Sequence, residues 1–298
     1  MDRPASRVSI IIPVYNSLEL TRKCVDSLLA TSSDDLPLEV ILVDDLSTDG
    51  AREYVASLKD RPGFKVILRS EKGSFAINNN QAAREASAPL LCLINNDVEL
   101  TPGWLAPMVS LMESQPQAGL VGNVQVNPAT GLVDHAGMVC WPDGSIRQAR
   151  KNRLHAPREA WLEWSCVTAA CVLVKREVFL SVGGFDEAYR NGSEDADLAV
   201  RLKLAGYRHF VANESVITHH VSSAPGRGNH VSANESRLRE QWGTQIAEWA
   251  QVEWPGEYFQ RYARHWWKLH PGLVLKAVAW RMKYGRWQRA TGPRIKGA

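Results

Sequence analysis

Three polar side chains stand where a strongly apolar run of the sequence ends. The run LLCLI occupies residues 90–94, and Asn95, Asn96 and Asp97 follow it directly. Amides and carboxylates in this position commonly form a turn that caps the next helix. The same oxygen atoms can also bind a divalent cation or approach a phosphate group. The cluster therefore indicates either a strand-ending turn or a ligand site.

Three further groups of ionisable residues stand at the ends of predicted elements: Asp44-Asp45, Glu194-Asp195 and His219-His220. Each has an ordinary structural explanation, since acidic side chains cap helices and complement the helix dipole, and a histidine pair can be satisfied at a strand end. Their combination predicts a site. Aspartate and histidine can hold Mg²⁺ or Mn²⁺, such a cation would neutralise a diphosphate, and a separate carboxylate could accept a proton.

Alternating strands and helices place these groups at one edge of a sheet. Apolar runs predict strands over residues 8–14, 38–44, 64–68 and 89–94, with a helix between each pair. This alternation is typical of an α/β fold with a mainly parallel sheet and helices on both faces. Ligands of such sheets bind at the carboxyl ends of the strands. The polar turns after the second and fourth strands are therefore expected to face one crevice.

The second half of the chain has fewer clear signals. Strands are predicted over residues 119–126, at the start of 166–179, and before His219, whereas residues 130–165 are turn-rich and receive no assignment. Serine N-caps are predicted for two helices, Ser17 for the first helix and Ser193 for the helix that starts at Glu194.

Seven blocks of sequence, in this order and at these spacings, resemble the family 2 glycosyltransferases, and among them the bacterial members that build O-antigen, capsule and other surface polysaccharides. The blocks are VSIIIPVYN, VILVDDLSTDG, LLCLINNDVEL, DHAGMV, VTAACVLVKREVFLSVGGFDE, EDADLAVRLKLAGYR and VITHHVSS. The resemblance covers roughly residues 7–222. It implies a GT-A fold and an inverting transfer of a sugar from a nucleotide-diphosphate sugar to a hydroxyl of a glycan or lipid-linked acceptor.

The resemblance also implies a role for individual residues. Asp195 matches the catalytic base, with Glu194 beside it, and Asp97 and His219 match the ligands of a Mn²⁺ or Mg²⁺ ion. The implied nucleotide-sugar contacts are Pro13, Tyr15, Asn16, Asp44, Asp45, Asn79, Asn95, Asn96 and, in a mobile loop, Arg227. Three departures from the family pattern are visible. The metal motif has one acid instead of two, and the stretch around Asn78–Asn80 can be aligned in more than one way. The loop at residues 224–230 is also longer than is usual in the family.

The C-terminal segment differs in charge from the rest of the chain. The whole chain has a formal net charge of +3, yet residues 255–298 contain ten Lys or Arg and one acid, Glu257. Seven of the eleven tryptophans lie from Trp242 onward. A Trp-rich basic helix could lie on an anionic membrane, or it could cap the catalytic domain. Nucleic acid is not an expected partner, because no recognised binding module accompanies the charge.

These features predict a domain division and a location. Residues 1–234 are expected to form the GT-A domain, with about 1–100 binding the nucleotide and 101–234 the acceptor, and 235–298 are expected to form the Trp-rich basic helical segment. No apolar run reaches the length of a membrane span, and no apolar stretch precedes the first strand. A cytoplasmic protein is predicted, with a peripheral position on the inner face of the cell membrane as the alternative.

Two other functions remain open from the residues alone. A sugar-1-phosphate nucleotidyltransferase has a related core, but it requires a Gly-rich basic loop after the first strand, where this chain has PVYNSLEL. A non-catalytic sugar-nucleotide-binding subunit would keep the fold without the chemistry. The joint presence of Asp97, Asp195 and His219 argues against the second alternative.

Overall fold

The computed structural model describes residues 6–32, 36–221, 230–262, 266–284 and 292–294. The strands are β1 (Val8–Val14), β2 (Leu38–Asp44), β3 (Phe64–Leu68), β4 (Leu90–Ile94), β5 (Val98–Glu99), β6 (Ala118–Asn127), β7 (Leu132–His135), β8 (Met138–Cys140), β9 (Ile146–Gln148), β10 (Trp161–Trp164), β11 (Cys171–Lys175) and β12 (Arg208–His219). The helices are α1 (Leu18–Thr31), α2 (Ala51–Ser57), α3 (Phe75–Glu85), α4 (Leu105–Ser114), α5 (Arg176–Ser181), α6 (Glu194–Leu204), α7 (Val231–Tyr262) and α8 (Pro271–Tyr284), with a 3₁₀ turn at Trp266–Lys268.

One ten-stranded sheet organises the chain, with the main order β10-β12-β6-β11-β4-β1-β2-β3. The strands β4, β1, β2 and β3 are parallel neighbours, so their carboxyl ends share one edge. Beyond β4 the sheet becomes mixed, because β11 pairs antiparallel with both β4 and β6 while β12 pairs parallel with β6. The predicted mixed sheet with helices on both faces is confirmed.

The strands bury both faces of the sheet, which explains why they appear in the sequence as continuous apolar runs. Successive residues alternate between the two sides: Ile11, Ile41 and Leu93 belong to one apolar cluster, and Ile10, Ile12 and Leu42 to the other. Helices α1, α2 and α4 supply buried residues to the second cluster. Helices α3, α5 and α6, together with α7 and α8, cover the first cluster.

Both predicted serine caps are wrong. Ser17 and Ser193 precede α1 and α6 in left-handed conformations, with φ of 62° and 69°, and neither side chain makes a capping hydrogen bond. At α1, the backbone N–H of Leu18 instead donates to Asp49 Oδ2, at 2.9 Å. A serine in the left-handed region cannot take the extended conformation that a capping hydroxyl requires, so the preceding turn decides how each helix begins.

The C-terminal helices pack on the face of the sheet that carries the first apolar cluster. Helix α7 begins at Val231, four residues before the predicted boundary, and it buries Leu238, Ile246, Trp254 and Tyr258. Helix α8 folds back along α7, so that the rings of Trp254 and Trp280 lie 5.7 Å apart. Among the described residues, no helix combines the length and the apolar character that crossing a membrane requires.

Candidate active site

A cleft of about 590 Å³ lies at the carboxyl edge of the four parallel strands. Each of these strands contributes residues at or after its carboxyl end. They are Pro13 and Tyr15 from β1, Asp45 after β2, Lys72 after β3, and Asn95, Asn96 and Asp97 after β4. The opposite wall comes from the second half of the chain and includes Thr168, Glu194, Asp195 and His219. The structure thus brings the separate polar clusters of the sequence into one crevice.

Asp97 and His219 lie side by side in this cleft. The distance from Asp97 Oδ1 to His219 Nε2 is 3.2 Å, and both residues are 3% exposed. Strand pairing sets this approach, because Val98 of β5 is the antiparallel partner of His219 at the end of β12. The backbone N–H of His220 also donates to the carbonyl oxygen of Asp97, at 2.9 Å. The imidazole of His220 turns outward instead, to Glu99 at 3.2 Å.

Asn95 and Asn96 have different roles in the turn before Asp97. Both line the cleft. The backbone N–H of Asn95 donates to the carbonyl of Ala170, which ties the turn to the opposite wall. The side-chain amide of Asn96 donates to the carbonyl of Asn16 and to the Thr21 hydroxyl. Asn96 therefore holds the turn against the start of α1.

A second corner of the cleft combines an aromatic ring, a carboxylate and a cation. Asp45 Oδ1 accepts from the backbone N–H of Gly73 at 2.6 Å, and Asp45 Oδ2 lies 3.1 Å from Lys72 Nζ. Lys72 Nζ also lies 2.8 Å from the centroid of the Tyr15 ring, which is 44% exposed. A half-exposed ring can stack on a planar base. The charged groups beside the ring can then orient the polar edge of that base.

Asp195 occupies the first turn of α6, on the wall opposite the strand ends. Its two carboxylate oxygens accept from the backbone N–H groups of Ala169, at 3.2 Å, and of Ala196, at 2.8 Å. Burial raises the pKa of Asp195 above its ordinary value, and these N–H groups and the Thr168 hydroxyl partly offset that rise. A carboxylate with a raised pKa that still opens into a cleft is suited to accept a proton.

The loop in front of Asp195 is strained and tightly held. Asn191, Gly192 and Ser193 are consecutive residues with positive φ, of 54°, 141° and 69°. The Glu194 carboxylate accepts from the N–H of Gly192 at 2.5 Å, and Asn191 Oδ1 accepts from the N–H of Phe75 at 3.0 Å. Backbone in these regions persists only where its surroundings enforce it. Glu194 therefore fixes the loop that presents Asp195.

Helix α7 also contributes to this loop. The side chain of Asn234 donates to the carbonyl of Arg190 at 3.1 Å and accepts from the N–H of Arg190 at 3.4 Å. His230 and Val231, at the start of the same helix, line the cleft. The beginning of the C-terminal segment thus belongs to the candidate site.

Three residues predicted as nucleotide-sugar contacts are not among those that line the cleft: Asp44, Asn16 and Asn79. Asp44 is 0% exposed and pairs with Arg52 at 2.5 Å. Asn16 Oδ1 accepts from the backbone N–H of Thr48 at 2.8 Å. The Asn79 amide donates within its own helix, to the carbonyl of Phe75. These side chains stabilise the turns and the helix around the cleft. Arg227 lies outside the described residues.

Several cleft residues were not predicted from the sequence: Lys72, Asn78, His135, Thr168, Asn191 and His230. Lys72 could have been found, because it follows the third parallel strand just as Asp45 follows the second. Asn78 is the neighbour of the predicted Asn79. It was not chosen because this stretch can be aligned with the family pattern in more than one way. His135 and Thr168 lie in blocks that carried the family resemblance but had no role assigned to them.

The side chains at Asp97 and His219 are compatible with a bound divalent cation. One carboxylate and one imidazole are adjacent and face the cleft, and His219 Nδ1 has no hydrogen-bond partner among the described residues. Among all the residues that the structure describes, no group of three or more His, Cys, Asp or Glu side chains is arranged to hold a metal. A cation here would need further oxygen ligands from water or from a bound diphosphate.

The edge of parallel strands, the mixed continuation of the sheet and the acidic cleft together resemble a glycosyltransferase domain. Residues 9–183 match the family described as glycosyl transferase family 2, and the chain belongs to this family. The family predicted from the seven sequence blocks is confirmed, and with it the glycosyltransferase class of the domain.

Similar proteins carry related names. The chain is 34% identical over 230 residues to the O-antigen biosynthesis protein RfbC of Myxococcus xanthus, covering 74% of this chain but only 18% of that protein. It is 27% identical over 225 residues to the N-acetylglucosaminyl-diphospho-decaprenol L-rhamnosyltransferase of Mycobacterium tuberculosis, covering 66% of this chain and 72% of that protein.

A solved structure confirms the predicted GT-A fold. The crystal structure of GalNAc-T7 with UDP, GalNAc and Mn²⁺ superposes with a TM-score of 0.66 at 16% identity, covering 95% of this chain and 55% of that one. At this identity the likeness concerns the fold alone.

Proposed function

We propose that this chain transfers a sugar from a nucleotide-diphosphate sugar to a hydroxyl of a glycan or lipid-linked acceptor, with inversion at the anomeric carbon, in the synthesis of a cell-surface polysaccharide. One observation carries the proposal. A single cleft contains both Asp195, a carboxylate with a raised pKa, and the Asp97–His219 pair. This reaction requires a base that accepts the proton of the acceptor hydroxyl. It also requires a place where the negative charge of the leaving diphosphate can be neutralised.

Asp195 acts as the general base in this proposal. The acceptor hydroxyl donates a hydrogen bond to the Asp195 carboxylate and loses its proton as the oxygen attacks the anomeric carbon. The bond from that carbon to the diphosphate oxygen breaks on the opposite side, so the configuration inverts. The N–H groups of Ala169 and Ala196 keep the carboxylate in place throughout.

The strand-end residues hold the donor. Tyr15 provides a ring for the base, and Asp45, kept in place by Gly73 and Lys72, is available to its polar edge. Lys72 adds a positive charge to this corner of the cleft. Asp97 and His219 are the residues that would hold Mn²⁺ or Mg²⁺, and a bound cation would neutralise the negative charge that develops on the departing diphosphate.

The names of the relatives support the class of acceptor. One is named for O-antigen biosynthesis and another for a rhamnosyl transfer in which N-acetylglucosaminyl-diphospho-decaprenol is named. A lipid-linked saccharide is therefore a suitable acceptor class for this cleft. Such an acceptor would bring the protein to the surface of the membrane.

The test is a panel of nucleotide-sugars incubated with the purified chain and Mn²⁺, with and without lipid-linked saccharide acceptors. We expect one nucleoside class to raise the melting temperature and one nucleotide-sugar to release its nucleoside diphosphate. An anomeric assignment of the product by NMR checks the inversion. Pyrophosphate release from a nucleoside triphosphate and a sugar 1-phosphate would instead indicate a nucleotidyltransferase. Binding of the donor without turnover on any acceptor would favour the non-catalytic subunit.

A further inference from the structure

Helix α8 has two apolar faces, and within the part of the chain that the structure describes only one of them packs on the rest of the protein. The inner face includes Ala277, which is 0% exposed, and Trp280, which contacts the ring of Trp254. The opposite face carries Leu275, Val278, Ala279 and Met282, at the i, i+3, i+4 and i+7 spacing of a continuous helical stripe. Leu275 is 71% exposed and Met282 is 84% exposed.

Two exposed tryptophans precede this stripe. Trp266 and Trp267 are 71% and 62% exposed. These two and Leu275, Val278 and Met282 of α8 are the exposed large apolar side chains of residues 266–284, and we call the five together the outer stripe. Twelve large apolar side chains are exposed among the described residues, and five of these belong to the outer stripe. Single exposed apolar residues are normal, whereas a local cluster of them is typical of an interaction surface.

The charges around the outer stripe identify its partner. Residues 266–284 contain Lys268, Lys276, Arg281 and Lys283 and no acidic residue. Lys276 and Lys283 each follow a stripe residue by one position, about 100° around the helix, so they flank the stripe. Apolar and aromatic side chains bordered by cations match the boundary between the headgroups and acyl chains of an anionic bilayer. Two copies of this surface would repel each other, which disfavours self-association.

We propose that the outer stripe docks this protein on the surface of a membrane that contains anionic lipids. The apolar side chains enter the interface, and the four cations meet the headgroup phosphates. The helix lies on the bilayer without crossing it. This docking is independent of the sugar donor and of the acceptor, so it can be tested without turnover.

The test is co-sedimentation of the full chain with vesicles. Vesicles of phosphatidylglycerol with phosphatidylethanolamine should bind the protein, and vesicles of phosphatidylcholine alone should bind it much less. Replacing Leu275, Val278 and Met282 together with glutamine should lower the partition coefficient by at least about tenfold, because three apolar side chains no longer enter the interface. Replacing Lys276, Arg281 and Lys283 with glutamine should lower binding to anionic vesicles by on the order of a hundredfold.

A matched control keeps the outcome interpretable. Leu154 and Leu204 are 63% and 50% exposed and lie outside the outer stripe. Replacing both with glutamine should leave vesicle binding unchanged, and melting temperatures should show that all variants fold. Equal vesicle binding by the stripe variant and wild type would overturn the proposal. A lipid-free dimer that the stripe variant makes monomeric, with no binding to vesicles, would overturn it in favour of self-association. Either result leaves the transfer assay unaffected, so the two proposals can fail separately.

Discussion

The carboxyl end of β2 and the first turn of α6 each carry two aspartates, one buried against an arginine and one facing the cleft. In the first, Asp44 is buried against Arg52 at 2.5 Å, and Asp45 faces the cleft. In the second, Asp197 is buried against Arg201 at 2.7 Å, and Asp195 faces the cleft. One aspartate of each pair is thus tied to an arginine, Arg52 of α2 or Arg201 of α6 itself, and the other is available to a ligand.

The two cleft-facing acids differ in what holds them. Asp45 lies 3.1 Å from the ammonium group of Lys72. Asp195 is held by neutral donors, namely two backbone N–H groups and the Thr168 hydroxyl. Burial among neutral donors raises the pKa of Asp195, whereas Asp45 forms an ion pair with Lys72. The comparison suggests that Asp45 recognises the donor and that Asp195 accepts a proton.

The largest effect is expected from Asp195→Asn. Loss of a general base lowers the rate of transfer by about 10²- to 10⁴-fold. The free energy of unfolding should stay within about 1 kcal/mol of wild type, because a lost hydrogen bond is offset by removal of a charge that burial disfavours. Transfer kinetics and thermal melts measure both quantities. Full transfer activity in this variant would exclude Asp195 as the base.

The opposite result is expected from Asp197→Asn. Its carboxylate binds Arg201 and accepts from Trp242 Nε1 at 2.8 Å, which joins α6 to α7. Breaking a buried ion pair costs about 3–5 kcal/mol, so denaturant melts should show a large loss of stability. The folded fraction should retain most of its transfer rate. An Asp197→Asn protein that is fully stable but inactive would reverse the division of roles between these two acids.

A smaller effect is expected from replacing His219, and it should concern only the dependence of binding on the cation. The adjacent His220 provides the comparison. His219→Ala should reduce the gain in nucleoside diphosphate affinity on adding Mn²⁺ by about tenfold or more, because even supporting residues of metal sites contribute this much. His220→Ala is the matched control, since its imidazole contacts Glu99 outside the cleft. Calorimetric titrations with and without Mn²⁺ provide the measurement. Equal cation dependence in both variants would remove His219 from the site.

The smallest effect is a shift in the pH dependence. The base functions only when ionised, so transfer should fall as the pH drops through the pKa of Asp195. The Thr168 hydroxyl lowers that pKa. Thr168→Val should therefore raise it and move the acidic limb of kcat/KM to higher pH, whereas Thr168→Ser keeps the hydroxyl and should leave the limb in place. A limb that does not move in the valine variant would show that another group controls it.

The parallel half of the sheet could be predicted from the sequence because its strands are buried on both faces. The strands over residues 8–14, 38–44 and 64–68 have the predicted bounds. In residues 130–165 the strands are only three or four residues long, too short for a pattern to emerge. The fold could therefore be predicted where the strands are long enough to form an apolar run, and not where they are shorter.

The site was predictable in its location but not in every side chain. Adjacent residues at a strand end point to opposite sides, so sequence alone could not decide between Asp44 and Asp45. The choice depends on Arg52, which approaches only when α2 folds back on the sheet. The capping serines failed for a related reason: the turns before α1 and α6 are left-handed, and this conformation arises from the tertiary contacts of each turn.

Helix α7 extends from the candidate active site to helix α8. Val231 lines the cleft, and Trp254 contacts α8 on its inner face. The helical rise between these two residues amounts to about 35 Å. The reacting hydroxyl would therefore be set off along α7 from the docked helix. Inserting or deleting whole turns of α7 would change the distance between the cleft and the membrane. It would therefore change how far from its lipid anchor an acceptor hydroxyl can be glycosylated.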